Sequence, residues 1–178
     1  MVASEEDRPE PISPYGICKL TIEHYLGYYQ RKYGLSHIIY RLTNPYGPRQ
    51  LVKQNQGVIP AFIGHVIGDE PITILGDGNA SRDFIYIDDA VKMITGTFYK
   101  QTKYDVYNIG SGIQSSLAEI VSILAKETGK NIEINYEVAP KTFLAKTSVS
   151  IARYEEFGKI DRTSLQNGLS KTLNAIDK

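Results

Sequence analysis

Apolar and aromatic residues recur at Ile17, Leu20, Ile22, Tyr25, Leu26 and Tyr29, just after the pair Ser13-Pro14. That spacing predicts one helical face. Ser13 supplies a capping oxygen, Pro14 suits the first turn, and Gly34 ends the helix in the left-handed conformation. LSHIIYRLT then reads as a buried strand, running into the turn Asn44-Pro45-Tyr46-Gly47-Pro48. VIPAFIGHVI, residues 58–67, reads as a short apolar helix. PITILGDGNASRDFIYI reads as strand, glycine-rich turn and strand, a hairpin. Asp88 and Asp89 open a helix to about Tyr99, where acidic residues suit the positive end of the helix dipole. YDVYNIGSG is a strand entering a glycine turn. Ser116-Leu117-Ala118-Glu119 is a capping box for a helix to Thr128, closed by Gly129. NIEINYEV alternates as a strand, and two helices near 149–157 and 163–176 finish the chain. Residues 1–13 read as a linker and 138–150 as a loop.

Strands and helices alternate, so the class is α/β with crossover connections. The 178 residues suffice for one sizeable domain or a domain plus an appendage. Apolar residues at 42% and charged residues at 22% give a globular profile. Zero formal net charge does not imply a strongly basic face for nucleic acid, although it leaves room for a local basic patch, and no nucleic-acid partner is expected. The single cysteine, Cys18, rules out an internal disulfide and favours a reducing compartment. No apolar run approaches the ~18 residues of a membrane span. The acidic, proline-rich start MVASEEDRPEP lacks the features of a secretory signal, so the cytoplasm is the expected compartment.

The candidate chemistry is Tyr-x-x-x-Lys, which occurs three times: Tyr15 with Lys19, Tyr28 with Lys32, and Tyr99 with Lys103. A phenol is a poor base at neutral pH, and a cation within about 4–6 Å favours its charged form. Residues i and i+4 stack on a helix, so each pair has the spacing for a tuned proton acceptor. The motif alone is most often chance. Tyr28 and Lys32 fall in a charged last turn, and Tyr99 and Lys103 straddle a helix end. Tyr15 opens its helix, where a loop can bring substrate to it. His24, His37 and His65 have no spacing suited to a metal site, and Asp88 and Asp89 read as a helix start rather than as metal ligands.

SPYGICK, RLTNPYGPRQ, GVIPAFI, ILGDGNASRDFIYIDDAV, YNIGSG and TSLQNGLSKTL occur in this order. Together they resemble the extended short-chain dehydrogenase/reductase family, and within it the NAD-dependent nucleotide-sugar epimerases and dehydratases of the UDP-glucose 4-epimerase type. The resemblance runs from about residue 8 to the end. It implies NAD as cofactor and a nucleotide sugar as substrate. Tyr15 would be the catalytic base at the sugar 4-hydroxyl. Lys19 would activate Tyr15 and bind the nicotinamide ribose. Asn44 would contact the substrate diphosphate, Val58 and its neighbours the base, and Arg82 the diphosphate, whose oxygens its planar fork suits. Asn44-Pro45 is a natural turn in any case, and an arginine after a glycine-rich turn is often merely exposed.

Three departures from the family pattern qualify this. No glycine-rich dinucleotide turn occurs, nor the family's Ser/Thr upstream of the tyrosine, so the chain is expected to be the C-terminal part of an epimerase. Alone it should bind NAD feebly or not at all and lack turnover. Relatives carry Arg before Gly-Asp near residues 138–148, where this chain has Lys141 among Val138–Phe143. Leu42 stands where an aromatic is common. The expected fold is a partial Rossmann-type parallel sheet plus a smaller α/β substrate domain. Residues 1–55 would belong to the former, and 56–178 to the latter, with strand 105–109 returning to the nucleotide-binding sheet. A homodimer through the Tyr15 helix is implied by the same resemblance. The rivals are a nucleotide-sugar 4,6-dehydratase, whose acidic pair lies upstream in relatives, and a non-catalytic nucleotide-sugar-binding module.

Overall fold

A computed structural model describes residues 2–50, 57–140, 143 and 146–176. In chain order the elements are β1 (Val2–Ala3), α1 (Pro14–Tyr33), β2 (Ile39–Leu42), β3 (Asn44–Tyr46), α2 (Val58–Ile67), β4 (Ile72–Leu75) and β5 (Ser81–Tyr86). They continue with α3 (Ile87–Thr95), β6 (Val106–Ile109), β7 (Gln114–Ser116), α4 (Leu117–Thr128), β8 (Ile134–Glu137) and β9 (Lys146–Val149). A 3-10 turn (Tyr154–Phe157) and α5 (Leu165–Leu173) complete the fold. The class is mixed α/β with mainly parallel strands, as the alternating pattern predicts. Helix boundaries coincide with their caps. Ser13 Oγ accepts from Gly16 N at 3.1 Å, Ser116 Oγ from Glu119 N at 3.0 Å, and Gly34 closes α1 at φ 69°.

Among the described residues the strands form three sheets. β2 pairs with β6 in parallel, and β4 with β8 in parallel. In the third sheet β5 is central: parallel to β3 and β9, antiparallel to β7, with β1 beyond β9. The expected hairpin is therefore wrong. β4 and β5 flank the glycine-rich turn yet do not pair with each other. The turn itself forms, with Gly76 and Gly78 at positive φ and Asn79 N–H bound to Asp77 Oδ1 at 3.0 Å. Burial decides the pairing. Five of the six residues of β5 are buried, which calls for cover on both faces.

Other boundaries also shift. β2 is shorter than LSHIIYRLT and only partly buried, with Leu42 exposed. α3 stops at Thr95, because Gly96 and Thr97 turn back onto the last carbonyls. The stretch read as loop plus helix holds β9, then only the short 3-10 turn. Residues 2–3, read as linker, are a strand on β9. Asn108 ties this start down: its side chain donates to the carbonyls of Ala3 (3.3 Å) and Ser150 (3.1 Å), and its N–H to Glu5 Oε1 (2.7 Å).

The larger core packs α2, α4 and α5 on the β3–β5 and β4–β8 strands, through Phe62, Ile63, Ile72, Ile74, Phe84, Tyr86, Leu124 and Leu169. A smaller core on the other side of β5 joins Ile85, Ala90, Met93, Ile109 and Tyr154. In α1, by contrast, no residue is buried. That helix is held to β2 by the bidentate pair of Arg41 with Glu23 (3.0 and 2.7 Å), and to the residue preceding β6 by Gln30 donating to Asp105 at 3.1 Å. The stability of the chain thus resides in the larger core. Leu124→Ala should cost about 2–5 kcal/mol in urea unfolding. Ile22→Ala, on the exposed face of α1, should change it by no more than about 0.5 kcal/mol.

Candidate active site

The cap at Ser13 fixes where Tyr15 stands. Ser13 has extended backbone (φ −141°), and the helix begins at Pro14, so Tyr15 lies in the first turn and Lys19 one turn on. Lys19 Nζ lies 5.3 Å from the centre of the Tyr15 ring, and Tyr15 is 72% exposed. Tyr28 and Lys32 have nearly the same geometry, at 5.4 Å. There hydrogen bonding to Tyr28, and then to Tyr33, raises the Lys32 pKa. The third pair does not form: Tyr99 is fully exposed, and Lys103 lies over Tyr104 instead. Pair geometry is shared by two of the three motifs, and only Tyr15 belongs to a first turn.

The second group is on β3 and β5. Register aligns Asn44 with Phe84, and Asn44 Nδ2 donates to the Asp83 carbonyl at 2.8 Å. Arg82 Nη1 donates to the Ser81 carbonyl at 2.9 Å, and its guanidinium lies 5.2 Å from the Phe143 ring centre. Burial lowers the Arg82 pKa from its usual value, and an arginine remains charged nonetheless. Val58 opens α2 behind Gly57, with no side chain capping that end. Asn44 and Arg82 thus lie on paired strands, Asn44 opposite the residue two beyond Arg82, Tyr15 and Lys19 form a separate pair on α1, and Val58 begins a third element. Lys141 lies outside the described residues.

Asp89 is 1% exposed and accepts from Thr163 N–H at 2.6 Å, with Lys92 Nζ 3.5 Å away. It starts a helix and clamps the C-terminal segment. Among the described residues no group of three His, Cys, Asp or Glu could hold a metal ion. No helix among them is long and apolar enough to cross a membrane. Tyr15 carries a hydroxyl and Lys19 an ammonium group, and both can hydrogen-bond sugar hydroxyls.

Asp83 is the residue that sequence reasoning missed. It is 1% exposed, and its carboxylate accepts from Ser111 N (2.8 Å), Ser111 Oγ (2.7 Å) and Gly112 N (2.9 Å). Its only signal is a carboxylate set inside the strand SRDFIY, which a solvated hairpin would leave unremarkable.

Tyr46, two residues beyond Asn44, is buried and donates to the Leu165 carbonyl at 3.4 Å. Burial, and after it the Asp89 charge, push its pKa up. In the unfolded chain a tyrosine ionises near pH ~10. The unfolded state therefore loses this proton first, and the stabilisation present below pH ~10 falls away as pH rises further. Tyr46→Phe should flatten the alkaline decline by up to about 1.4 kcal/mol per pH unit, read from urea unfolding between pH 9 and roughly 11.5.

A family model for the NAD dependent epimerase/dehydratase family matches residues 2–110, and the chain belongs to that family. A putative UDP-glucose 4-epimerase of Methanocaldococcus jannaschii is 33% identical over 171 residues, covering 96% of this chain and 55% of that protein. A dTDP-4-dehydro-6-deoxyglucose reductase of Escherichia coli is 30% identical, covering 97% and 55%. The crystal structure of UDP-glucose 4-epimerase with UDP-glucose from Thermotoga maritima superposes with a TM-score of 0.92 at 33% identity, over 98% of this chain and 57% of that one. The chain thus spans a little over half the length of these three relatives. Dehydratases of dTDP-glucose are also similar to it.

Proposed function

We propose that this sequence supplies the proton-transfer pair and the nucleotide-sugar side of an NAD-dependent UDP-hexose 4-epimerase. The observation that carries this reading is the placement of Asn44 and Arg82 on paired strands, in a fold similar to an epimerase solved with UDP-glucose. The planar Arg82 guanidinium suits diphosphate oxygens, and Asn44 adds an amide. Val58 and the backbone around it would meet the base. NAD, when bound, supplies the acceptor and donor of hydride at carbon 4. Tyr15 takes the proton of the 4-hydroxyl, leaving a ketone once hydride has gone, and returns it after the sugar has turned over. Lys19 is the cation beside it and the donor toward the nicotinamide ribose. Residues 1–55 would belong mainly to a nucleotide-binding part and 56–178 to a substrate part, with β6 returning to β2 and β3 carrying Asn44 to the substrate side, and two copies meet through the exposed α1.

The dehydratase relatives favour one rival, which shares the oxidation at carbon 4 and differs in the fate of the ketone. Both rest on Tyr15, so the product distinguishes them: UDP-galactose for the epimerase, a 4-keto-6-deoxy sugar for the dehydratase. The chain by itself should bind UDP in calorimetry and give no product from UDP-glucose and NAD. Arg82→Ala should weaken UDP at least ~10-fold, the loss of a bidentate charged contact. Tyr15→Phe should leave UDP affinity within about twofold, since a phenol hydroxyl remote from the diphosphate adds nothing to it. Unaltered UDP affinity in Arg82→Ala would defeat the assignment.

A further inference from the structure

We propose that Asp83 is a positioning residue for diphosphate recognition, its buried carboxylate fixing Asn44 and Arg82 through strand β5. The proposal rests on the assignment of those two residues to the diphosphate. Side chains alternate along a strand, so Arg82 and Phe84 share one face of β5, and Asp83 and Ile85 the other. Phe84 belongs to the larger core and Ile85 to the smaller, as that alternation requires. The Asn44–Phe84 register puts Asn44 on the face of Arg82 and Thr43 on that of Asp83. Thr43 Oγ1 accordingly approaches Asp83 Oδ1 at 3.4 Å.

Asp83 is therefore held from both sides. Its carboxylate takes two consecutive backbone N–H groups, of Ser111 and Gly112, and the Ser111 hydroxyl. These are neutral donors arranged as an anion-binding turn. Its carbonyl takes the Asn44 amide. The 110–112 turn is pinned in its own right by Arg162, which donates to the Ser111 carbonyl. No slack remains at Gly110, where a Cβ would come within 2.7 Å of Asp83 Oδ2 and 2.9 Å of Thr43 Cγ2. A buried carboxylate cannot drift from such donors without leaving a charge unpaired. The strand is thereby locked at the residue beside Arg82, and at the carbonyl that orients Asn44.

A carboxylate that only stabilised the sheet would affect every ligand alike. A positioning residue affects the part of the ligand that Asn44 and Arg82 meet. The test titrates this chain with UDP by calorimetry and with uridine by ligand-detected NMR. Asp83→Asn keeps the shape and turns an amide N–H toward N–H donors. It should weaken UDP roughly tenfold, as losing a hydrogen bond to a charged group does, and leave uridine unchanged. In an Arg82→Ala background the same change should cost less than about twofold, because coupled residues are not additive. Ser111→Ala removes one donor and keeps both the charge and the backbone turn. It should give a smaller loss, also confined to UDP, and it carries the test if Asp83→Asn does not fold. Equal losses for UDP and uridine, or the same loss in both backgrounds, would overturn the positioning role. UDP binding that Arg82→Ala weakens and Asp83→Asn does not would also overturn it, leaving the diphosphate reading intact. A chain that binds no UDP at all overturns both.

Discussion

Strand β5 is the wall between two cores, and the rest of the chain is arranged to cover it. Phe84 and Tyr86 face the larger cluster and Ile85 the smaller. A strand apolar on both faces cannot sit at a solvated edge, so neighbours must come from distant parts of the sequence. β3 arrives from before it, β7 and β9 from well after it, three of the four pairings in that sheet being parallel. Parallel neighbours need crossovers, which α2, α3 and α4 provide. The same constraint places a carboxylate inside the wall, where only a full set of donors makes it tolerable.

Much of this was legible one element at a time. Ser13, Gly34, Ser116 with Glu119, and Gly129 each mark a helix end by local chemistry, and each does so in the structure. Local chemistry also explains the failures. Gly76-Asp77-Gly78-Asn79 is a sound turn, but a turn says nothing about which strands then pair. Pairing was set by how much apolar surface β5 had to bury, a sum over distant partners that no short window contains. β9 is four residues of mixed character, too short for a period of two to show. The N-terminal residues read as linker because their strand partners are some 145 positions away: Val2 pairs with Ser148.

The candidate site divides in the same way. The order of its motifs pointed to the family, and the side chains that meet ligand in that reading are conspicuous types: a tyrosine, a lysine, an arginine, an asparagine. Asp83 differs because its work lies in its partners, Ser111 and Gly112, 28 and 29 residues onward. A carboxylate in a strand reads as solvated until the strand is known to be central. Only then does its burial demand donors, and the GSG turn after β6 becomes their source.

The two similar Tyr–Lys pairs on α1 show what the pair itself does not supply. An ammonium about 5 Å from a phenol acts through a medium, and the attraction is about four times weaker in bulk water than at the effective dielectric of a protein surface. Spacing is equal at Tyr15 and Tyr28, so spacing does not choose between them. Position does. Tyr28 lies near the C-terminal end of α1, with Arg31 and Lys32 after it in the last turn, where cations serve the negative end of the dipole. Tyr15 lies in the first turn, behind a capped entry, and is open on a face that carries no buried residue. A ligand seated on that opening would itself displace water from the pair and strengthen the interaction at the moment it matters. Under the proposed function, the exposure of Tyr15 would let substrate and cofactor complete the environment in which a phenol beside an amine becomes a useful acceptor of protons.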